Sequence, residues 1–192
     1  MAPKKKFSKD DIIEAAFEIA REEGIDSISV RKVADKIGSS IAPIYVNFTD
    51  VDELKNAVLN KIHDISQQML MTKYSENPFL NIGIASLKFA REYKVLFKDL
   101  VMNSNTHLKN VQPSNSSLLE QMKQGSRLDG FTDEELADIL FKMKVFQMGL
   151  SVMDVYGFLP EEFTEEKLIE VLEGTGKDVI AAAGLRQAGR LD

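Results

Sequence analysis

The 192-residue sequence predicts an all-α protein of about nine helices. Two observations lead to this fold class. Capping residues followed by apolar residues at spacings of three and four recur along the whole chain. No segment sustains the alternation of apolar and polar residues that is typical of a strand. We expect two domains, residues 1–50 and residues 51–192.

Composition narrows the class of protein. The net charge is -6 at pH 7 and there is no Cys, which excludes disulfides, thiolate zinc sites and thiol nucleophiles. The two histidines, His63 and His107, lie 44 positions apart, which is no metal-ligand spacing. No apolar run approaches the roughly 18 residues of a membrane span, and no signal-peptide pattern follows the first lysines. We expect a cytoplasmic protein with no membrane partner, no cofactor, no metal and no enzymatic activity.

Charge is distributed unevenly along the chain. Residues 1–48 carry eight basic and eight acidic side chains, whereas residues 129–173 carry 12 acids against three lysines. If any part of the chain contacts a polyanion, we therefore expect it to be the N-terminal part.

Two helices are predicted before residue 39. The first begins at the cap Ser8 and ends at Gly24. The second follows Ser29 and ends at Gly38, since glycine takes a left-handed conformation without a Cβ penalty.

A third predicted helix, residues 40–47, opens at Ser40. With the preceding helix it has the spacing of a helix-turn-helix, in the positions of Ala34, Gly38 and Ile44. A small residue lets two helices cross closely, a glycine makes the turn, and an apolar residue fixes the pair. An ordinary helical hairpin shares this spacing, so the spacing alone leaves both interpretations open.

The rest of the chain is also predicted to be helical. A short helix from Val95 to Met102 precedes a polar loop at residues 103–115, and Gly130 ends a later helix. The glycines at 174 and 176 predict an irregularity in the last helix. The other predicted helices begin at capping residues: Asp50, Asn77, Ser117, Thr132 and Thr164.

Residues 12–60 resemble the N-terminal domain of the tetracycline-repressor (TetR) family of transcriptional regulators. A weaker resemblance covers residues 87–100. The resemblance implies a ligand-responsive regulator, here expected to be a repressor, that binds a palindromic double-stranded DNA operator as a homodimer. The residues that carry it are Ala15, Ala16, Phe17, Gly24, Ser29, Val30, Arg31, Val33, Ala34, Gly38, Ser40, Ile44, Tyr45, Phe48 and Leu54.

The resemblance also implies roles in DNA binding. Residues 40–47 correspond to the recognition helix, and Arg31 to a residue that contacts a base edge. Hydrogen bonds to phosphates are expected from Ser29, Tyr45 and Asn47. The residues expected to face the groove are Ser39, Ser40, Ile41 and Ala42, and further phosphate contacts are expected from Lys4, Lys5 and Lys6.

Each of these roles has a structural alternative. Tyr45 is flanked by apolar residues and could be a core ring, and Arg31 could pair with Asp35 at i+4. The three N-terminal lysines could form a solvated tail. The sequence also departs from the family at Ile41 and Val51, where polar residues and a lysine are frequent. This departure supports a rival function, a small-molecule-binding or protein-interaction module of the same fold that has lost DNA binding.

The resemblance places a small apolar or amphipathic effector among the middle helices. For each methionine or aromatic residue taken singly, a place in a simple core is the better interpretation, but as a set they also suit an adaptable apolar cavity. The candidate lining residues are Phe89, Tyr93, Phe97, Met102, Met122, Met143 and Phe146.

The last two predicted long helices carry apolar stripes that suit a dimer interface. Two such helices from each subunit would form a four-helix contact under two-fold symmetry. The alternative is that both stripes are buried within one subunit. The candidate interface residues are Leu136, Leu140, Met143, Leu150, Met153, Leu168, Leu172 and Val179.

Overall fold

The computed structural model describes residues 7–102, 114–125 and 128–191. These residues form nine α-helices and no strand, which confirms the predicted fold class. We number the helices α1 (Lys9–Glu23), α2 (Val30–Ile37), α3 (Ala42–Asn47), α4 (Val51–Met71), α5 (Pro78–Glu92), α6 (Lys94–Met102), α7 (Asn115–Met122), α8 (Asp133–Val155) and α9 (Glu165–Gln187). A single 3-10 turn, Ile25–Ser27, joins α1 to α2.

The helices fall into two compact units. The first contains the described residues of 1–65 and 93–112, and the second those of 66–92 and 113–192. The first unit therefore takes in α6, which follows α5 of the second unit in the chain. A functional boundary after residue 50 stays a prediction.

Several predicted helix ends are confirmed. The Ser8 hydroxyl accepts from the backbone N–H of Asp11 at 3.1 Å, and the Asp11 carboxylate accepts from the N–H of Ser8 at 2.9 Å. The same reciprocal capping box joins Thr132 and Glu135 at the start of α8. Such caps satisfy N–H groups that have no partner inside the helix.

Other predicted helix ends are wrong. Ser117 does not cap α7, because its own N–H donates to the hydroxyl of Ser114, three residues earlier, at 3.2 Å. The helix ends at Met122, and Gly130, with φ of 93°, lies in the turn that leads to α8. The last helix is continuous through residues 174–177. Glycine lowers helix propensity by about 1 kcal/mol without forbidding the helical conformation.

The second unit is built around one apolar core. Residues from α5, α7, α8 and α9 meet there, with Leu136, Ile139, Met122 and Leu168 almost fully buried. Across the described residues, we find no helix that has both the length and the apolar character to cross a membrane.

Candidate nucleic-acid interface

The first unit contains a helix-turn-helix. Ser29 caps α2 by accepting from the N–H of Lys32 at 3.3 Å. Gly38 ends the helix in the left-handed conformation with φ of 69°, and the next N–H, of Ser39, donates to the carbonyl of Ala34 at 2.9 Å. Ala34 and Ile44, the predicted packing positions on the two helices, are both buried. The predicted turn is thus present.

The third helix begins two residues later than predicted. Its first residue is Ala42, and Ile41, which precedes it, provides no side-chain cap. The Ser39 hydroxyl instead donates to the carbonyl of Ser40 at 2.7 Å, so neither serine caps the helix. Pro43 lies in the first turn, where its missing N–H costs no intrahelical hydrogen bond.

One face of α3 is exposed and largely apolar. Ile44 and Phe48 are buried, whereas Ile41 is 47% exposed, Tyr45 55% and Val46 84%. The exposure of Tyr45 rules out the alternative of a core ring. Val46 is not among the residues predicted to face the groove, although its helical angle relative to the two buried positions already places it toward solvent.

The polar residues predicted to contact DNA differ in the hydrogen-bonding groups that their local contacts leave unused. The side-chain amide of Asn47 is half-buried and donates to the carbonyl of Pro43 at 2.8 Å. One amide hydrogen thus remains for a phosphate. Ser40 is exposed, while Ser29 and Ser39 are half-exposed and already take part in the local hydrogen bonds described above.

The cations of this unit are mostly neutralised by carboxylates. Within residues 7–65, Arg31 alone among the lysines and arginines has no ion pair, so the predicted pair with Asp35 is not formed. Its guanidinium is exposed. The ion pairs are Lys9–Glu53, Arg21–Glu18, Lys32–Glu23, Lys36–Glu22, Lys55–Asp26 and Lys61–Glu14. The candidate N-terminal contacts Lys4, Lys5 and Lys6 lie outside the described residues.

The predicted effector residues are divided between the two units. Met122, Met143 and Phe146 belong to the core of the second unit or pack against it. Tyr93 and Phe97 belong to the first unit, where the ring of Tyr93 lies 6.2 Å from that of Phe17. The remaining two candidates are Phe89, which is half-buried in α5, and Met102, whose side chain lies outside the described part of the chain.

A groove of about 370 Å³ lies elsewhere, between α7 and α8. Six of its lining residues are Asn115, Leu119, Phe141, Lys144, Val145 and Met148. The Lys144 amine donates to the side-chain oxygen of Asn115 at 3.1 Å, and burial lowers the pKa of Lys144. The groove contains none of the predicted effector residues.

The predicted dimer surface is wrong in most of its residues. Val179 is half-buried against the core, and Met153 is the only candidate that is exposed. The remaining candidates are buried inside the second unit, so they have no surface left for a partner: Leu136, Leu140, Met143, Leu150, Leu168 and Leu172. The alternative of burial within one subunit therefore holds for these positions.

A second stripe on α8 is exposed instead. Phe141 is 66% exposed and Val145 58% exposed, and Tyr156 lies further along on the same side. The half-exposed Met148 and Val152 continue the spacing of three and four residues between them. Because α8 is apolar on two sides, its sequence does not distinguish the face that meets the core from the face that meets solvent.

Comparison with known proteins agrees with this geometry. Residues 12–58 match the family described as bacterial regulatory proteins, tetR family. A curated relative, the HTH-type transcriptional repressor DrrR1 of Streptomyces coeruleorubidus, is 25% identical over 161 residues. That match covers 80% of this chain, which spans only 56% of the length of the relative.

Solved structures share the fold of almost the whole chain. A tetR-family transcriptional regulator from Streptomyces coelicolor has a TM-score of 0.66 at 14% identity, with 91% of this chain and 86% of that chain covered. A TetR variant from Acinetobacter baumannii AYE in complex with minocycline has a TM-score of 0.57 at 16% identity, with 95% and 98% covered. Residues 12–58 are thus matched in sequence to the tetR family of bacterial regulatory proteins, and the described helices share the fold of solved tetR-family structures.

Proposed function

We propose that this protein is a ligand-responsive transcriptional repressor that binds a palindromic DNA operator as a homodimer. The observation that carries the proposal is the exposed surface of the helix-turn-helix. It presents the unburied face of α3 and, in Arg31, the one cation of residues 7–65 that no carboxylate neutralises.

In this proposal α3 enters the major groove and Arg31 reaches a base edge, where its fork suits guanine O6 and N7. Phosphate contacts come from Ser29, the Tyr45 hydroxyl and Asn47. Lys32 and Lys36 contribute less than their charge suggests, because Glu23 and Glu22 lie 2.5 Å and 3.7 Å from their amines.

We place the homodimer contact on the exposed stripe of α8. Its apolar side chains Phe141, Val145 and Tyr156 are exposed in the single chain, and contiguous exposed apolar surface of this kind marks an interaction site. The same stripe from a second copy is self-complementary under a two-fold axis. The stripe also forms one wall of the groove at Lys144, so dimerisation would cover that groove.

A two-fold dimer presents two copies of α3, which fit half-sites one helical turn apart, or about 34–36 Å. An effector that changes this separation weakens binding to both half-sites at once. Coupling of about 1–3 kcal/mol would lower operator affinity roughly 5–150-fold. One TetR structure of this fold holds minocycline, which supports an effector that is a small apolar or amphipathic molecule.

The test is selection of bound fragments from the genome that encodes the chain, followed by sequencing. The proposal predicts enrichment of a short inverted repeat next to a regulated gene. The rival function, a module of this fold that has lost DNA binding, predicts no enriched sequence. The aliphatic Ile41 and Val51 favour this rival, since neither can bind a phosphate.

A further inference from the structure

The exposed face of α3 is unusual in its chemistry. Ile41, Ala42, Tyr45 and Val46 occupy one arc of the helix, and all four are classed as exposed. Three of them have no hydrogen-bonding group in the side chain, and the fourth has a single hydroxyl. Val46 is the most exposed of the large apolar side chains of the described residues.

An apolar face discriminates among base edges because it offers no partner to their hydrogen-bonding groups. Guanine, adenine and cytosine present donors and acceptors in the major groove, which would lose their water against Ile41 or Val46 without gaining a protein partner. Thymine alone presents an apolar group there, its C5 methyl. Thymine keeps its O4 acceptor beside the methyl, but burial of the methyl against an aliphatic side chain costs no hydrogen bond.

We propose that α3 reads its operator through the methyl groups of thymines, with Ile41 and Val46 as the residues that contact them. This inference rests on the proposed function, because it names the chemistry by which the same surface selects DNA. Arg31 then makes the charge-assisted contact to a base edge. Contacts with thymine methyl groups account for the rest of the sequence preference among the base pairs that α3 covers, which are its footprint.

The two side chains also fix a spacing. Ile41 and Val46 are five residues apart, which is about 7.5 Å along a helix axis and about 140° around it. Base pairs follow one another every 3.4 Å, so the two side chains should contact thymines of two different base pairs in each half-site.

Deoxyuridine differs from thymidine only in lacking the C5 methyl, which makes it the sharpest probe. Each thymine of the selected operator is replaced in turn by deoxyuridine, and the dissociation constant is measured for the full-length protein. We expect two positions per half-site at which binding weakens roughly fourfold, the value of one buried methyl group. Deoxyuridine outside the footprint of α3 should change nothing.

Protein variants show which side chain meets which methyl group. With Val46→Ala, replacement at one of the two positions should no longer weaken binding, and Ile41→Ala should do the same at the other. The matched control is Leu191→Ala, which shortens an exposed apolar side chain far along the chain from α3 and should preserve both losses.

The possible results distinguish recognition of thymine methyl groups from the proposed function of operator binding. A specific operator that binds equally well with deoxyuridine at every position overturns the inference and leaves the proposed function standing. Losses that persist unchanged in both alanine variants also overturn it. Failure to bind any specific duplex overturns both.

Discussion

The carboxylate of Asp99 in α6 accepts a hydrogen bond of 2.6 Å from the backbone N–H of Ile25, 74 positions earlier in the chain. Ile25 begins the turn between α1 and the helix-turn-helix, and its side chain is buried. The preceding residue, Gly24, has φ of 92°, and a Cβ placed there would lie 3.3 Å from a carboxylate oxygen of Asp99. This contact ties α6 to the turn that precedes the helix-turn-helix.

Asp99→Ala should therefore destabilise the fold. The substitution leaves the N–H of Ile25 without its partner in a part-buried position, and a lost partner of this kind costs about 1–3 kcal/mol. Urea unfolding followed by circular dichroism measures the change in free energy. The matched control is Asp64→Ala, an exposed aspartate in α4, which we expect to change stability by less than about 0.5 kcal/mol. Equal effects of the two substitutions would show that the Asp99 contact contributes nothing.

A glycine in the core of the second unit provides a test of whether Leu172 is packed inside that unit. A Cβ at Gly83 in α5 would lie 2.5 Å from a methyl carbon of the buried Leu172. Gly83→Ala should thus cost about 1–3 kcal/mol in the free energy of unfolding. Gly174→Ala, in α9 with no atom within 4 Å, should instead stabilise the protein by up to about 1 kcal/mol. If Gly83→Ala were neutral, Leu172 would not be packed against α5, and its predicted place in the dimer interface would be open again.

Arg31→Ala should relax discrimination at one base pair of each half-site, at a cost of about 1–3 kcal/mol per site. Tyr45→Phe should weaken binding to all sequences alike, because it removes a contact that positions the helix without reading a base. Lys32→Ala serves as the control for charge, since the Lys32 amine already pairs with Glu23 at 2.5 Å. Equal losses for operator and scrambled duplex in Arg31→Ala would exclude base recognition by this residue. Binding is measured by fluorescence anisotropy at fixed salt.

Phe141→Glu should convert the dimer to a monomer. The change places a charge in the middle of the exposed α8 stripe, where it would be buried without a partner on association. Val46→Glu makes a similar change on the exposed face of α3 and should leave the assembly intact. Sedimentation velocity at tens of micromolar, without DNA, distinguishes the two. A dimer that persists in Phe141→Glu would place the interface elsewhere.

Deleting residues 1–6 tests the role of Lys4, Lys5 and Lys6. Residues 10–48 carry eight acids against four basic side chains, so phosphate contacts from the N-terminal lysines would offset a net negative charge. Each neutralised phosphate contributes about -0.9 to the slope of log K against log salt, so the slope should flatten by roughly 2–3 units per monomer. Operator preference should not change. An unaltered slope would indicate that these lysines form a solvated tail and do not contact phosphates.

The sequence predicts helix caps and turns correctly where the residues that hydrogen-bond to each other lie close along the chain. The capping boxes at Ser8 and Thr132 and the turn at Gly38 depend on residues three to five positions apart, and all three are present. The cap of α7 was misassigned because Ser114 and Ser117 both fit the capping preference, and only geometry identifies which hydroxyl faces the free N–H.

Long-range relationships were not predictable in the same way. No local pattern links Asp99 to Ile25. On α8, the sequence predicts a dimer surface on the stripe from Leu136 to Met153, yet the residues of this stripe from Leu136 to Leu150 pack into the core, and the exposed stripe at Phe141 is not predicted. Helical periodicity identifies apolar faces, but it does not say which neighbour covers each of them.

In the proposed complex, two chains bind one palindromic duplex through their helix-turn-helix surfaces. Sedimentation equilibrium of the full-length protein with the selected operator, combined with a titration against a scrambled duplex at the same salt concentration, tests this complex most directly. We expect two chains per duplex and an affinity for the operator about 10³-fold or more above that for the scrambled sequence. Equal affinity for the two duplexes, or one chain per palindrome, would contradict it.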